Sequence, residues 1–190
     1  MGYNFKVIAV GSSAGGLPPL KQILGSIPPN INAAITIVQH LGSNYESKLA
    51  EILQRSSYLP VHKVDHNMEM EKGNVYVIGE GKVMSIADGM LIVRDRTAEE
   101  RRLNKTIDQF FTSLSEEVGS QAIGIILSGA GAHDGIEGAM AIESRQGIVI
   151  VQEPYTAEHP IMPQALIAND HPDYILTPED IARKIIQHCY

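Results

Sequence analysis

Ser13 stands in Gly11-Ser12-Ser13-Ala14-Gly15, directly after the strand-like run Phe5–Val10 and before a helical stretch from Leu17 to Ile27. A G-x-S-x-G between a strand and a helix is the pattern of a nucleophile elbow. Such a turn lifts a serine hydroxyl above a sheet. It also sets the serine beside helix-terminal amides, which stabilise developing negative charge. A serine is a poor nucleophile until a base takes its proton. His40 ends a second apolar run, Ala33–Val38, and Asp134 follows a third, Ala122–Leu127. Neutral imidazole can accept a proton near pH 7, and a carboxylate fixes its tautomer. Ser13, His40 and Asp134 are therefore the parts of an acyl-transfer site.

Each part also has a structural reading. A Gly/Ser turn after a strand can be a plain turn or a phosphate cradle. His40 can bond a strand edge. Asp134 can cap its own helix, the commonest use of Asp before an apolar helical run. Six other histidines, at 62, 66, 133, 159, 171 and 188, compete for any imidazole role. The order Ser…His…Asp differs from the Ser…Asp/Glu…His of α/β-hydrolases. A dinucleotide site fits poorly, because Gly11-x-x-x-Gly15-Gly16 is not G-x-G-x-x-G and Gln39-His40 replaces the ribose-binding acid. Tyr45-x-x-Lys48 reads as helix surface.

Three residues at three strand ends need a sheet to gather them. Short apolar runs alternate with amphipathic stretches: strand 7–10, helix 17–27, strand 33–38, helix 45–55 with Leu49, Ile52 and Leu53 at helical spacing. That alternation predicts a parallel sheet covered by helices. Short strands are expected at 61–64, 75–78, 83–86 and 90–93. Asp88-Gly89 between the last two is a hairpin turn signal. Helices are expected at 106–118, 134–145 and 162–168, strands at 122–127, 148–152 and 174–176, and a last helix starts at Pro178, a favoured first-turn position. The expected fold is α/β: a doubly wound, mainly parallel sheet flanked by helices, with an inserted antiparallel β-hairpin. Residues 1–190 are read as a single domain, with the site at the carboxyl ends of the strands.

Composition narrows the classes. With 190 residues and 44% hydrophobic content, the chain can build one sizeable core. A net charge of −7 and the lack of a Lys/Arg stripe disfavour nucleic acid. The lone Cys189 rules out an intrachain disulfide and a Cys-rich zinc site. No run approaches the ~20 apolar residues of a membrane span, and no signal peptide is read. A cytoplasmic location and no membrane insertion are the expectations.

The residues resemble the catalytic domain of the chemotaxis protein-glutamate methylesterases. The matching stretches, in order, are Val7–Gly16; Val38-Gln39-His40; Ile107–Ser113; Gly124–Gly131 with Asp134-Gly135; and Gln152-Glu153-Pro154 followed by Met162-Pro163. The resemblance implies hydrolysis of glutamate methyl esters on cytoplasmic helices of chemoreceptors, with release of methanol, and deamidation of some glutamines. By position it implies Ser13 as nucleophile, His40 as base and then acid, and Asp134 as its orienting carboxylate. The backbone amides of Ala14 and Ala130 fall beside the oxyanion. No metal or cofactor is implied.

Three departures stand out. The family's G-x-G-x-D-G loop is one residue longer here, Gly129-Ala130-Gly131-Ala132-His133-Asp134-Gly135. One added residue can displace a carboxylate by up to ~3.5 Å, enough to break a bond to His40. Ala130 replaces a frequent methionine, which would open the pocket. Leu103-Asn104-Lys105-Thr106 replaces an Arg-Pro-rich segment. No receiver domain is read in cis. That leaves three possibilities: constitutive activity, regulation in trans by a receiver or methyltransferase, or origin as a piece of a larger protein. Competing functions are a non-catalytic module that binds receptor or methyltransferase helices, and an esterase for another ester.

Overall fold

The computed structural model describes residues 2–42 and 44–190. Seven strands form one sheet: β1 (Lys6–Ser12), β2 (Ala33–Gln39), β3 (Val61–Val64), β5 (Val75–Ile78), β8 (Ala122–Ile126), β9 (Ile148–Gln152) and β10 (Tyr174–Leu176). Their order is β10-β9-β8-β1-β2-β5-β3, and every pairing is parallel. Three more strands, β4 (Met68–Glu69), β6 (Lys82–Ala87) and β7 (Met90–Asp95), make a separate antiparallel sheet in the order β4-β7-β6.

A strand buried on both faces must be apolar at every position. β1 is such a strand: Val7 and Ala9 enter one core, Ile8 and Val10 the other. On the first face lie α4 (Thr106–Val118), α5 (Ile136–Ser144), α6 (Ile161–Asn169) and the antiparallel sheet, through Phe110, Phe111, Leu114, Ile142, Met162 and Met84. On the second lie α1 (Leu17–Ser26), α2 (Leu49–Gln54) and α7 (Pro178–His188), through Leu20, Ile23, Leu53, Ile181 and Ile185. The sheet is doubly wound, as expected. Among the described residues no helix is long and apolar enough to cross a membrane.

The expected hairpin is β6–β7. Asp88 and Gly89 both take positive φ, 51° and 76°, the backbone of a type I′ turn. The hairpin has a third strand, β4, that the sequence reading does not foresee. A short helix, α3 (Ala98–Leu103), was also unforeseen. The Thr97 hydroxyl accepts from the Glu100 amide at 3.2 Å and caps it. The second helix is shorter than the expected 45–55, because the Ser47 hydroxyl accepts from the Leu49 amide and starts the helix there.

The chain leaves β1 toward β2 on one side and returns to β8 on the other. This puts a topological switch point over β1, where open α/β sheets bind ligands. Ser13, His40 and the 127–135 segment all lie at that carboxyl edge.

Candidate active site

Ser13 follows β1 directly, and its backbone is held from three directions. Its amide donates to Ser128 O at 2.9 Å. Its carbonyl accepts from Gly16 N at 3.1 Å and from Gln39 Nε2 at 3.2 Å. Gln39 Oε1 in turn accepts from the Ser12 hydroxyl. The turn requires glycine: Gly15 has φ +77°, and a Cβ there would sit 2.6 Å from Ser128 Oγ. That same Ser128 hydroxyl donates to Ala14 O at 2.8 Å. The loop carrying Ser13 and the loop after β8 are thus tied by side chain and backbone. The amides of Ala14 and Ala130 donate to nothing among the described residues.

His40 follows Gln39, whose pairing with Ser12 is the last rung of the β1–β2 ladder, and its amide donates to Ser12 O at 3.2 Å, so Ser13 and His40 each lie one residue past that rung. Its Nε2 lies 2.7 Å from Asp134 Oδ2, with the two side chains 15% and 3% exposed. Nδ1 has no partner among the described residues, and neither has Ser13 Oγ. The structure therefore brings His40 and Asp134 into contact and leaves Ser13 beside them, unbonded. With Nε2 committed to the carboxylate, Nδ1 is the nitrogen free to serve as base.

The longer loop does not separate Asp134 from His40. The reason is a reciprocal cap. The first-turn amides of a helix have no intrahelical acceptor and carry partial positive charge. Asp134 Oδ2 and Oδ1 accept from Ile107 N at 2.8 Å and Asp108 N at 2.7 Å, in the first turn of α4. Asp108 Oδ1 accepts from Gly135 N at 2.9 Å and Gly138 N at 2.7 Å, at the start of α5. Each helix lends a carboxylate to the other's amino end. Asp134 is thus a cap, but of α4 and not of its own helix, whose N-cap is Gly135 at φ 103°. The loop is also tied at its end: Lys105 Nζ donates to the His133 carbonyl and stands 3.4 Å from Asp108 Oδ2.

Asp108 is the site residue whose role the sequence did not reveal. It is buried, and burial first, with the Asp134 charge adding, pushes its carboxyl up to about 6; the Gly138 amide pulls the other way. An unfolded Asp titrates near ~3.9. The folded state binds this proton more tightly, so the stabilisation is full below about pH 4 and lost as pH rises through about 6. The expected loss is about 2–3 kcal/mol across that window. Urea unfolding of wild type beside Asp108→Asn should show their stability difference changing between pH 4 and 6.5. A pH-independent difference would contradict the account. Glu80, held down to about 2 by Lys63, acts below this window.

Of the other histidines, His62 stacks on Tyr76 and bonds Asn74, and His188 lies against Tyr174. Only His40 adjoins a buried carboxylate among the described residues.

Comparison with known proteins decides the family. A profile of the CheB methylesterase family matches residues 8–185. The chain belongs to the CheB methylesterase family. A Leptospira interrogans protein, provisionally named protein-glutamate methylesterase/protein-glutamine glutaminase, is 33% identical over 97% of this chain and 95% of its own length. The protein-glutamate methylesterase/protein-glutamine glutaminase 1 of Syntrophus aciditrophicus is 31% identical over 97% of this chain and 52% of its own. The Maricaulis maris relative is likewise 31% identical, over 46% of its length. The chain thus spans about half of those two CheB relatives. The crystal structure of the Thermotoga maritima CheB methylesterase catalytic domain superposes with a TM-score of 0.87 at 28% identity, covering 97% of this chain and 98% of that one.

Proposed function

We propose that this protein is a serine hydrolase that cleaves glutamate methyl esters on cytoplasmic helices of chemoreceptors. One observation carries the reading: a His40–Asp134 pair, 2.7 Å apart and 15% and 3% exposed, stands at the switch point, with His40 and Ser13 each one residue past the last β1–β2 rung. Family membership supports the ester, and the relatives' names supply the protein-bound glutamate.

In this reading Ser13 Oγ attacks the ester carbonyl while His40 Nδ1 takes its proton. Asp134 holds the imidazole by Nε2 and stabilises the imidazolium. The carbonyl oxygen becomes an oxyanion, and this reading assigns to it the amides of Ala14 and Ala130, which donate to nothing among the described residues. The C–O bond then breaks, His40 returns the proton to methoxide, and methanol leaves. Water, deprotonated by His40, attacks the acyl-enzyme, and Ser13 Oγ recovers the proton. A glutamine in the same place would release ammonia, the second activity in the relatives' names. We read residues 1–190 as one catalytic domain acting in the cytoplasm. A receiver domain or methyltransferase acting in trans is the kind of regulatory partner it would meet.

The competing reading is a binding module without turnover. The observation in its favour is that Ser13 Oγ bonds nothing among the described residues, although such bonds often tighten only when substrate is present. A fluorophosphonate separates the two. Mass spectrometry should find the adduct on Ser13 and none in Ser13→Ala. An unmodified Ser13 in folded protein would favour the module.

A further inference from the structure

Arg96, the residue after β7, is the one Lys or Arg that is buried among the described residues, at 9% exposure. It forms no ion pair there. Its Nη2 donates to Leu41 O at 2.5 Å, and its Nε is buried without an acceptor. The other N–H donors of the fork have no partner among the described residues. Glu100, the nearby carboxylate, is already held by Arg94 at 2.9 Å. Burial first, and the charge of Arg101 second, push Arg96 below its ordinary value, with Glu100 opposing. Elsewhere partly buried cations have partners: Lys63 pairs with Glu80 at 2.8 Å and Lys82 with Asp95 at 2.7 Å.

A buried guanidinium stays charged and is costly without an anion. Holding one peptide carbonyl does not require it. Its place is informative, because Leu41 is the residue after His40, a single Cα step of ~3.8 Å. A buried cation beside the base, with donors to spare, is arranged for an anionic group arriving with the substrate.

We propose that Arg96 forms an anion subsite next to the catalytic centre and takes a carboxylate of the substrate helix, one or two turns from the glutamyl ester. The proposal rests on the methylesterase reading above. Neighbouring side chains on one helix face recur at spacings of about four and seven residues. On this proposal, an esterified glutamate at Ser13 presents one of those neighbours to the guanidinium. The geometry selects acidic helices locally, although the chain's net charge of −7 repels them at long range.

The test uses two helical peptides, each with one glutamate methyl ester. One has Glu four and seven residues from the ester, and the other has Gln at both places. Methanol release gives kcat and KM for each, with wild type and Arg96→Gln. Wild type is expected to favour the acidic peptide about tenfold or more, mainly in KM, and Arg96→Gln to lose that preference. If wild type treats the peptides alike, the proposal is overturned. It is also overturned if Arg96→Gln slows both equally and keeps the preference, since Arg96 would then only position the loop after His40. Should Arg96→Gln fail to fold, Arg96→Lys replaces it. This variant keeps a cation without the planar fork and is expected to show a reduced preference; an undiminished one overturns the proposal. No methanol from either peptide with wild type defeats the methylesterase reading itself.

Discussion

Ser13→Ala is expected to lower kcat for ester hydrolysis by about 10⁶-fold, with the fold unchanged. The size follows from what is removed. Without the hydroxyl there is no acyl-enzyme, and water must attack directly. The loss exceeds that of a positioning residue because the first bond-forming step disappears. The hydroxyl bonds nothing among the described residues, while the Ser13 backbone is pinned by Ser128, Gly16 and Gln39. The substitution therefore leaves the turn intact. A thermal melt within a few degrees of wild type, with no burst of acylation, is the expected pair of results. Activity near wild type would remove Ser13 as nucleophile.

Asp134→Asn should cost about 10⁴-fold in kcat and also destabilise the fold. The carboxylate accepts from three donors: His40 Nε2, Ile107 N and Asp108 N. An amide has one oxygen for these two positions. If its oxygen faces His40, its NH₂ meets the Asp108 amide. If it is flipped, NH₂ meets both the Ile107 amide and Nε2. The second arrangement moves the imidazole proton to Nδ1, the wrong nitrogen for a base facing Ser13. Either way a buried donor is left unpaired, which costs about 1–3 kcal/mol. Nitrogen NMR of the imidazole and urea unfolding check the two halves separately. Full stability and full activity in this variant would mean that the pair has no function.

Much of this was legible in the chain because the central strands are buried on both faces. Ile148–Gln152 and Tyr174–Leu176 read as strands at their observed limits, and Asp88-Gly89 marks the turn between β6 and β7. β4 was not legible: it is two residues long, and its pairing with β7 is set by a distant partner. α3 buries no residue, so it has no periodic face to detect. Its one signal was Thr97 followed by Glu100.

The site divides the same way. Ser13 and His40 carry local signals, a glycine turn and a strand end. Asp134 looked like the cap of the helix it precedes, and only the approach of α4 to α5 shows that it caps α4. That approach is tight enough that a Cβ on Gly138 would sit 2.5 Å from Phe111 Cβ. Asp108 depends on the same contact between residues about thirty apart. Arg96 follows a strand among other charges, and no spacing rule marks it as buried.

The most direct measurement is methanol release from a methylated chemoreceptor cytoplasmic fragment, with wild type and Ser13→Ala side by side. The account predicts steady release by wild type and none above background by the variant. Equal release by both, or none by folded wild type, would contradict it.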